Sequence, residues 1–229
     1  MKIHADMNVL ETNKTSASRN PFHLRFPELP TKKRLAIRIL DVLLSSLALI
    51  FSIPVIILVS AFIVVFDGWP IFFKQVRVGL GLRDLTIVKF RTMIVGAEGF
   101  QDQILRTVNE PNVQIKADDR VTPLGRVLRR LSLDEIPQLL LVLSGQMSLV
   151  GPRPLIKEEV LQLPSKYLNR FQVLPGITGL AQVSGRARLS IWTILDLDLR
   201  WAEEYSFCLY LKILWKTFSA LLRTDRGEF

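Results

Sequence analysis

A nearly unbroken apolar run from Ile39 to Phe66 is the strongest hydrophobic pattern in the chain. As one straight helix, Val42 to Phe66 would measure roughly 38 Å at 1.5 Å per residue, enough to cross a hydrocarbon core of about 30 Å. Pro54 lies near the middle, with Ser52 two residues before it. Because a proline removes an intrahelical hydrogen bond, the pattern predicts a break into two halves of about 18 Å, each too short to span.

Basic residues flank both ends of this run, four of them between Lys32 and Arg38 and five between Lys74 and Arg91. The positive-inside tendency places both flanks on the cytoplasmic side. The pattern therefore predicts a re-entrant helical hairpin over residues 31–68, bent at Pro54. A proline-kinked helix that spans the membrane is the alternative.

The segment before this run, Met1 to Pro30, is polar and has no hydrophobic period. Its composition predicts a flexible leader over residues 1–30. It does not read as a secretory signal, because the apolar run begins too far in, is too long and has no small-residue cleavage pattern behind it.

After Pro70 the pattern changes to short segments rich in β-branched and aromatic residues. Ile71 to Val78 and Leu85 to Phe90 are typical of strands, and the glycine-containing loop Gly79 to Asp84 joins them. The pattern predicts a small β-hairpin. On residues alone, the basic side chains at Lys89 and Arg91 are ordinary solvated positions on its second strand.

The rest of the chain is predicted to be mostly helical. Leu155 to Phe171 is amphipathic, and Leu189 to Arg223 has apolar residues at three-and-four spacing, which are Leu211, Leu214, Trp215, Phe218, Leu221 and Leu222. This stripe suits either core packing or a helix lying in the membrane interface. The fold class is therefore α+β and mostly helical, with amphipathic interfacial helices around a compact catalytic domain over residues 69–229.

Composition narrows the chemistry. A hydrophobic fraction of 49% and a mean hydropathy of +0.28 indicate contact with lipid, and a net charge of +9 suits an anionic bilayer, nucleic acid or a polyphosphate ligand. A single cysteine, Cys208, excludes an internal disulfide and a multi-cysteine zinc site. Because His4 and His23 both precede Pro30, a Ser-His or Cys-His pair is disfavoured, and carboxylates, arginines and lysines are left as the reactive groups.

Two adjacent carboxylates, Asp134 and Glu135, lie at the centre of the stretch RVTPLGRVLRRLSLDEIPQLLLVLSGQMSLVGPRPL. Cationic side chains frame the pair, namely Arg126, Arg129, Arg130 and Arg153. Carboxylates can hold a divalent metal or attack phosphorus, and guanidinium groups bind phosphate oxygens. The pattern is typical of a site that handles phosphates.

A structural interpretation competes with this one. Ser132 and Glu135 have the spacing of a capping box at the start of a helix. Pro137 would then fall at the fifth helical position, where its missing N–H costs a hydrogen bond, whereas a helix beginning at Asp134 keeps it within the first turn. The proline weakens the capping box without excluding it.

Four motifs in order carry a family resemblance: KFRTM from Lys89, SLDEIPQ from Ser132, MSLVGPRPL from Met147 and LPGITGLAQVSGR from Leu174 to Arg186. Together they closely resemble the core of the bacterial sugar transferase family, the monotopic polyprenyl-phosphate phosphoglycosyl transferases. The resemblance covers the chain from about Lys33 onward.

The resemblance implies transfer of a phosphosugar from a UDP-sugar to undecaprenyl phosphate, with release of UMP, at the cytoplasmic face of a bacterial inner membrane. Such a step begins the synthesis of an exopolysaccharide, capsule, O-antigen or glycoprotein glycan. Both termini would be cytoplasmic, and a homodimer is left open.

Residue roles follow from the same resemblance. Asp134 is expected to be the nucleophile that forms an aspartyl-phosphosugar intermediate, and Glu135 to bind Mg²⁺ with Asp134 or to assist the second step. The expected phosphate-binding residues are Arg129, Arg153, Arg186, Lys89 and Arg91.

The chain departs from the family pattern at two places. The family usually has serine directly before the proline of the re-entrant bend, whereas here the order is Ser52-Ile53-Pro54. Tyr210 stands where the family commonly has an aspartate. A supporting role of that carboxylate is therefore absent or moved in this chain.

Three other functions remain as alternatives. A metal-dependent transferase that moves sugar alone could use Asp196 and Asp198 as a D-x-D pair, although on a helix these carboxylates would point about 200° apart. A non-catalytic membrane-surface adaptor would use the arginines to bind anionic lipid. Nucleic-acid binding comes last, because no recognised motif accompanies the charge.

Overall fold

The computed structural model describes residues 31–97, 119–185 and 189–222. The predicted leader lies outside these ranges. The helices are α1 (Thr31–Phe62), α2 (Pro123–Arg130), α3 (Leu139–Leu143), α4 (Lys157–Leu161), α5 (Leu180–Ser184), α6 (Ile191–Glu203) and α7 (Phe207–Leu222). The strands are β1 (Phe72–Val78), β2 (Asp84–Phe90), β3 (Ser148–Val150) and β4 (Gly176–Thr178). The described chain is mostly helical with two small sheets, as the sequence predicted.

The long apolar helix α1 continues through Pro54 without interruption and ends in a π-helical turn, Ile63–Asp67. The predicted separation into two helices is therefore wrong at the level of secondary structure. Pro54 is exposed, and a proline removes only one hydrogen bond of the helical ladder, which a helix can absorb as a kink. The re-entrant path through a bilayer stays a prediction.

Most side chains of α1 face outward and are apolar. The segment Arg34–Asp67 is long and apolar enough to cross a membrane, and little of it is buried against the rest of the protein. Phe51, for example, is 78% exposed. Since an exposed surface of this kind is unfavourable in water, it indicates association with a membrane.

The two ends of α1, in contrast, pack against the domain that follows. Near its beginning Ile37 is buried with Val150 and Trp201, and near its end Val59 and Ile63 are buried beside Phe90. The middle of the helix separates these two contacts.

The predicted β-hairpin is confirmed. Strands β1 and β2 pair antiparallel, with Phe72 opposite Phe90 and Val78 opposite Asp84. Leu85 and Ile87 on β2 are buried in a small core with Val142 and Met147, which places the hairpin beside α3.

The packing of α6 and α7 shows whether the C-terminal apolar stripe lies in the core or faces outward. Tyr210 and Ile213 on α7 are buried and pack with Trp201 on α6. Trp215 and Phe218, which belong to the apolar stripe, are exposed instead. Among the stripe side chains that the structure describes, Leu211 is exposed as well and Leu214 packs against the core, so this part of the stripe mainly faces outward.

Tyr210, which stands where the family commonly has an aspartate, contacts a carboxylate from another part of the chain. Its hydroxyl donates to Asp41 Oδ1 at 2.7 Å, and the same oxygen accepts from the Leu149 N–H at 2.8 Å and the Ser148 hydroxyl at 3.1 Å. Burial and the nearby Asp41 carboxylate raise the pKa of Tyr210, so the phenol stays a donor. A carboxylate is thus present beside Tyr210, but α1 supplies it.

Candidate active site

The carboxylate pair lies on a 3₁₀-helical segment, Leu133–Gln138, which leads directly into α3. Ser132 precedes it with a left-handed φ of 56° and makes no side-chain capping hydrogen bond. The capping-box interpretation is therefore wrong. Pro137 lies inside this 3₁₀ segment, and the backbone changes from 3₁₀ to α-helix at Leu139.

Lys89 joins the two carboxylates. Its Nζ atom lies 2.6 Å from Glu135 Oε1 and 3.9 Å from Asp134 Oδ2. The lysine comes from the end of β2, which packs on the 3₁₀ segment. The tertiary fold thus brings the KFRTM and SLDEIPQ motifs together, and Lys89 is a partly buried, ion-paired side chain rather than an ordinary solvated one.

Burial and charge shift the pKa values of these groups in different directions. Burial raises the pKa of Asp134 above its usual 3.8, although Lys89 and Arg129 pull it down. Burial would also raise the pKa of Glu135, but attraction to Lys89 and Arg153 outweighs it and leaves that pKa lowered. Burial lowers the pKa of Lys89 below 10.5 despite the attraction of Glu135. Glu135 is therefore the firmly ionised member of the pair.

A cleft opens beside Glu135 and Lys89, and its walls carry two further cations, Arg77 and Arg153. The Arg77 guanidinium donates to the Pro154 carbonyl at 2.7 Å and to Gln75 Oε1. Burial and the repulsion of Arg153 lower the pKa of Arg77 to about 10. A cleft with three cationic side chains and one ionised carboxylate is suited to a diphosphate.

Sequence reasoning missed Arg77 as a site residue, although a signal for it was present. In the hairpin register Arg77 lies opposite Leu85, and Lys89 lies opposite Phe73. Directly opposed residues share a face of the sheet, and residues two apart along a strand do so as well. Arg77 therefore lies on the same face as Lys89.

The far wall of the cleft is built where two family motifs meet. Strands β3 and β4 pair in parallel, and the Gly176 N–H donates to the Pro152 carbonyl at 3.0 Å. A Cβ at Gly176 would come 2.0 Å from the Gly151 nitrogen, so this approach requires glycine. The Gly176 N–H is therefore already bonded and is not available to an anion in the cleft.

A buried ion pair supports the turn that carries Arg153. The Arg170 guanidinium donates to the Arg153 carbonyl at 2.8 Å and pairs with the Asp198 carboxylate. Both side chains of the pair are 1% exposed. The pair fixes the backbone of the turn and leaves the Arg153 side chain exposed beside the cleft.

The remaining predicted phosphate ligands differ in their placement. Arg129 Nε donates to Thr92 Oγ1 at 2.9 Å, near enough to Asp134 to lower its pKa. Arg91 is buried and donates instead to the carbonyls of Asp67 and Gly68, where it holds the end of the apolar segment. Arg91 is thus not among the side chains that line the cleft, because it follows the last residue of β2 and its guanidinium is held by Asp67 and Gly68. Arg186 lies outside the described residues.

The alternative D-x-D pair is divided between two environments. Asp196 and Asp198 both lie on α6, as the helical prediction required. Asp198 is buried against Arg170, whereas Asp196 is exposed and accepts a hydrogen bond from the Tyr167 hydroxyl at 2.9 Å. Their separate partners make a shared metal unfavourable.

Comparison with known proteins identifies the family of this chain. The family model described as bacterial sugar transferase matches residues 32–224. The chain belongs to the bacterial sugar transferase family. The family membership and the enzyme class predicted from the four motifs are thus confirmed.

The relatives carry informative names. The chain is 35% identical to the exopolysaccharide production protein ExoY of Rhizobium meliloti over 85% of this chain and 88% of that one. It is 38% identical to the UDP-glucose:undecaprenyl-phosphate glucose-1-phosphate transferase of Caulobacter vibrioides, over 83% and 71%. It is 34% identical to the undecaprenyl-phosphate galactose phosphotransferase of Salmonella typhimurium, over 82% of this chain but 40% of the longer protein.

Proposed function

We propose that this sugar transferase moves a phosphosugar from a UDP-sugar to undecaprenyl phosphate and releases UMP. One observation carries the proposal: Lys89 joins Asp134 and Glu135 at the edge of a cationic cleft, next to an exposed apolar helix. The cleft suits the anionic, soluble donor, and the helix places the site beside a lipid acceptor. The names of the relatives support the same reaction.

Asp134 acts as the nucleophile. Its carboxylate oxygen forms a bond to the β-phosphorus of the donor, and the bond from that phosphorus to the bridging oxygen breaks, so that UMP departs. An oxygen of the polyprenyl phosphate then attacks the aspartyl-phosphosugar, and the bond from Asp134 to phosphorus breaks. Asp134 returns to its free carboxylate form, and the product is a polyprenyl-diphosphate sugar.

The cations position and neutralise the phosphates. Lys89 and Arg153 face the cleft beside Glu135, where negative charge develops on the departing phosphate. Arg77 is held against Pro154 and adds charge at the same wall. Such preformed charges stabilise a transition state without reorganising during the reaction, and each contributes about 10²- to 10³-fold in rate.

Asp134 and Glu135 also fit a magnesium ion. Mg²⁺ is commonly bound through one or two carboxylates together with substrate phosphates. Within the described residues no cluster of three or more His, Cys, Asp or Glu side chains could hold a metal alone, so the diphosphate and water would complete the ligand set. When bound, the ion would neutralise the diphosphate and the leaving UMP. Lys89 donates to Glu135 Oε1 at 2.6 Å and so fixes the carboxylate beside the cleft.

The hydrogen bonds at both ends of the apolar segment support the re-entrant path. Near its beginning Arg38 donates to the carbonyl of Leu143 at 2.6 Å. At its end Thr122 donates to Asp67 Oδ2 at 2.8 Å, and Arg91 donates to the Asp67 carbonyl. Since both ends contact one folded body, the proposed path bends α1 at a kink at Pro54 and returns to the same face, which the flanking basic residues mark as cytoplasmic. The Ser52 to Pro54 region then lies deepest in the bilayer.

The test is nucleotide release. Purified protein in nanodiscs is supplied with Mg²⁺, undecaprenyl phosphate and a panel of UDP-sugars, beside the variants Asp134→Asn and Asp196→Asn. We expect UMP with at least one sugar, its loss in Asp134→Asn and its retention in Asp196→Asn. Labelled sugar from the donor should also stay on the wild-type protein when the lipid is withheld.

Two outcomes would contradict the proposal. Release of UDP instead of UMP would indicate transfer of sugar alone. A non-catalytic membrane adaptor would give no nucleotide from any sugar, no effect of Asp134→Asn, and weaker membrane binding on loss of Arg126, Arg129 and Arg130.

A further inference from the structure

Two charged side chains near the beginning of α1 contact the folded domain, although the helix is otherwise mainly apolar and exposed. Arg38 and Asp41 are three residues apart, so they lie on the same face of the helix. Asp41 is 1% exposed, and Arg38 is half-buried. Because a buried charged group is costly without hydrogen-bonding partners, the contacts of these two side chains indicate what the face is for.

Arg38 binds the end of α3. Its guanidinium donates to the Leu143 carbonyl at 2.6 Å and to the Val142 carbonyl. The last carbonyls of a helix lack intrahelical partners, and arginine side chains commonly satisfy them. Helix α3 continues directly from the 3₁₀ segment that carries Asp134 and Glu135. Arg38 thus holds the far end of the element that carries the carboxylate pair.

Asp41 binds the start of β3. Its Oδ1 atom accepts from the Leu149 N–H at 2.8 Å, the Ser148 hydroxyl at 3.1 Å and the Tyr210 hydroxyl at 2.7 Å. Ser148 and Tyr210 are both buried. Strand β3 leads within three residues to Arg153, which lines the cleft. Asp41 thus holds the first residues of the far wall of the cleft.

The two contacts lie at the two ends of one short connection. Residues 144–147 join α3 to β3, and Arg38 binds immediately before them whereas Asp41 binds immediately after them. The carboxylate pair precedes α3 and Arg153 follows β3, so this connection affects their relative position. A displacement of about 1 Å between reacting groups can cost about 10²-fold in rate.

We propose that Arg38 and Asp41, with Tyr210 as a partner of Asp41, are positioning residues that hold the carboxylate pair in place relative to Arg153 across the cleft. The inference rests on the proposed function, because it takes Asp134 as the nucleophile and Arg153 as a phosphate ligand. The apolar helix then shapes the active site in addition to contacting the membrane. An ionised aspartate, which the family commonly has in place of Tyr210, could not donate to Asp41, so that hydrogen bond depends on the tyrosine of this chain.

The test separates positioning from binding. The full chain is placed in nanodiscs with Mg²⁺ and the UDP-sugar from which the wild type releases UMP. With the lipid withheld, the rate at which labelled phosphosugar becomes attached to the protein is measured for Arg38→Met, Asp41→Leu and Tyr210→Phe. The affinity for the same UDP-sugar is measured with each change combined with Asp134→Asn. Ile213→Val is the matched control, because it loosens the same core without removing either contact.

We expect Arg38→Met and Asp41→Leu to slow attachment about 10- to 100-fold at saturating UDP-sugar and to change its Kd by less than about threefold. Tyr210→Phe removes one of three donors to Asp41, so its effect should be below about tenfold. Loss of either contact frees the connection, so the double variant of Arg38 and Asp41 should be little slower than the slower single variant. Ile213→Val should keep the wild-type rate.

Amide hydrogen exchange gives a measurement that does not depend on turnover. Exchange in residues 144–150 should become faster in Arg38→Met and in Asp41→Leu, because each change frees one end of the connection. Ile213→Val should leave the exchange of this segment close to that of the wild type.

Three results would overturn the inference: wild-type attachment rates in both Arg38→Met and Asp41→Leu, a loss of UDP-sugar affinity as large as the loss of rate, or fully additive losses in the double variant. If Asp41→Leu fails to fold, Tyr210→Phe and Arg38→Met still test the two ends of the connection separately. Failure of the proposed function has a different signature, namely no label and no UMP from the wild-type protein while exchange in residues 144–150 still rises in the variants.

Discussion

Two acidic pairs in this protein look alike in sequence and behave differently in the fold. Asp134 and Glu135 share one lysine at the edge of an open cationic cleft. Asp196 and Asp198 lie on an α-helix, one exposed beside Tyr167 and the other buried against Arg170. Glu135 of the first pair keeps its charge beside the cleft, whereas the second pair is divided between the surface and an internal ion pair.

The difference shows that the local backbone and the partners around an acidic pair decide what the pair can bind. Lys89 reaches both carboxylates of the first pair because β2 ends beside the 3₁₀ segment. On α6, residues two apart point about 200° away from each other, so no single cation or metal can serve both. Substitutions in the two pairs should therefore affect different properties.

The largest expected effect comes from Asp134→Asn. The change removes the nucleophile but keeps the shape of the side chain, so the rate of UMP release should fall by at least about 10³-fold. The melting temperature should hold or rise, since burial disfavours the charged form of Asp134. Steady-state release together with a thermal melt checks both. A variant that retains a tenth of the activity would exclude Asp134 as the nucleophile.

The next effect comes from Lys89→Met, which should lower kcat/KM by about 10²- to 10³-fold and change its pH profile. Asp134 must be ionised to attack, so the rate rises as the pH passes its pKa, which burial raises above 3.8. Lys89 pulls that pKa down, and its removal should move the acid limb to higher pH. The alkaline limb, which reports the lowered pKa of Lys89, should disappear.

Lys89→Arg is the control for this profile. An arginine keeps the positive charge at all accessible pH values, so the alkaline limb should move upward while the acid limb changes less. An acid limb that stays in place in Lys89→Met would separate Lys89 from the ionisation of Asp134.

Asp198→Asn should affect catalysis less than the substitutions of Asp134 and Lys89, and it should affect stability more than they do. The change leaves Arg170 buried without a charged partner, which costs about 3–5 kcal/mol and should lower the melting temperature by about 10 °C. Since Arg170 holds the Arg153 carbonyl, the KM for the donor should rise more than kcat falls. An unchanged melting temperature would contradict the structural role of this pair.

Asp196→Asn should have the smallest effect. The carboxylate is exposed and gives up at most one hydrogen bond from Tyr167, so the free energy of unfolding should change by no more than about 0.5 kcal/mol. UMP release and its dependence on Mg²⁺ should match the wild type. A lost response to Mg²⁺ in this variant would restore the D-x-D pair as a metal site.

Much of the fold could be predicted because its signals are local. The hairpin follows from alternation and a glycine-containing loop, and the C-terminal helices follow from three-and-four spacing. The continuity of α1 through Pro54 could not be predicted, since a proline can either kink or end a helix and its surroundings decide which. The outward direction of Trp215 likewise depends on which face of α7 packs on α6.

The part of the candidate site that could be predicted also rests on local sequence motifs. Asp134, Glu135 and Arg153 lie in one stretch, and Lys89 lies in a second motif of the family pattern. Arg91 has the same residue type as Arg77 and Arg153, but it follows the end of β2, where its side chain donates to the Asp67 carbonyl instead.

The sequence alone determined the chemistry available to this protein: two adjacent carboxylates, a surplus of cations and one long apolar segment. Residue types and short-range periodicity fix these properties because they need no knowledge of distant contacts. The tertiary structure decided which cations lie beside the carboxylates, which aspartate is paired with a buried arginine, and which residues line the cleft. Those outcomes depend on contacts between residues tens of positions apart, whose free energies are set only when the chain has packed.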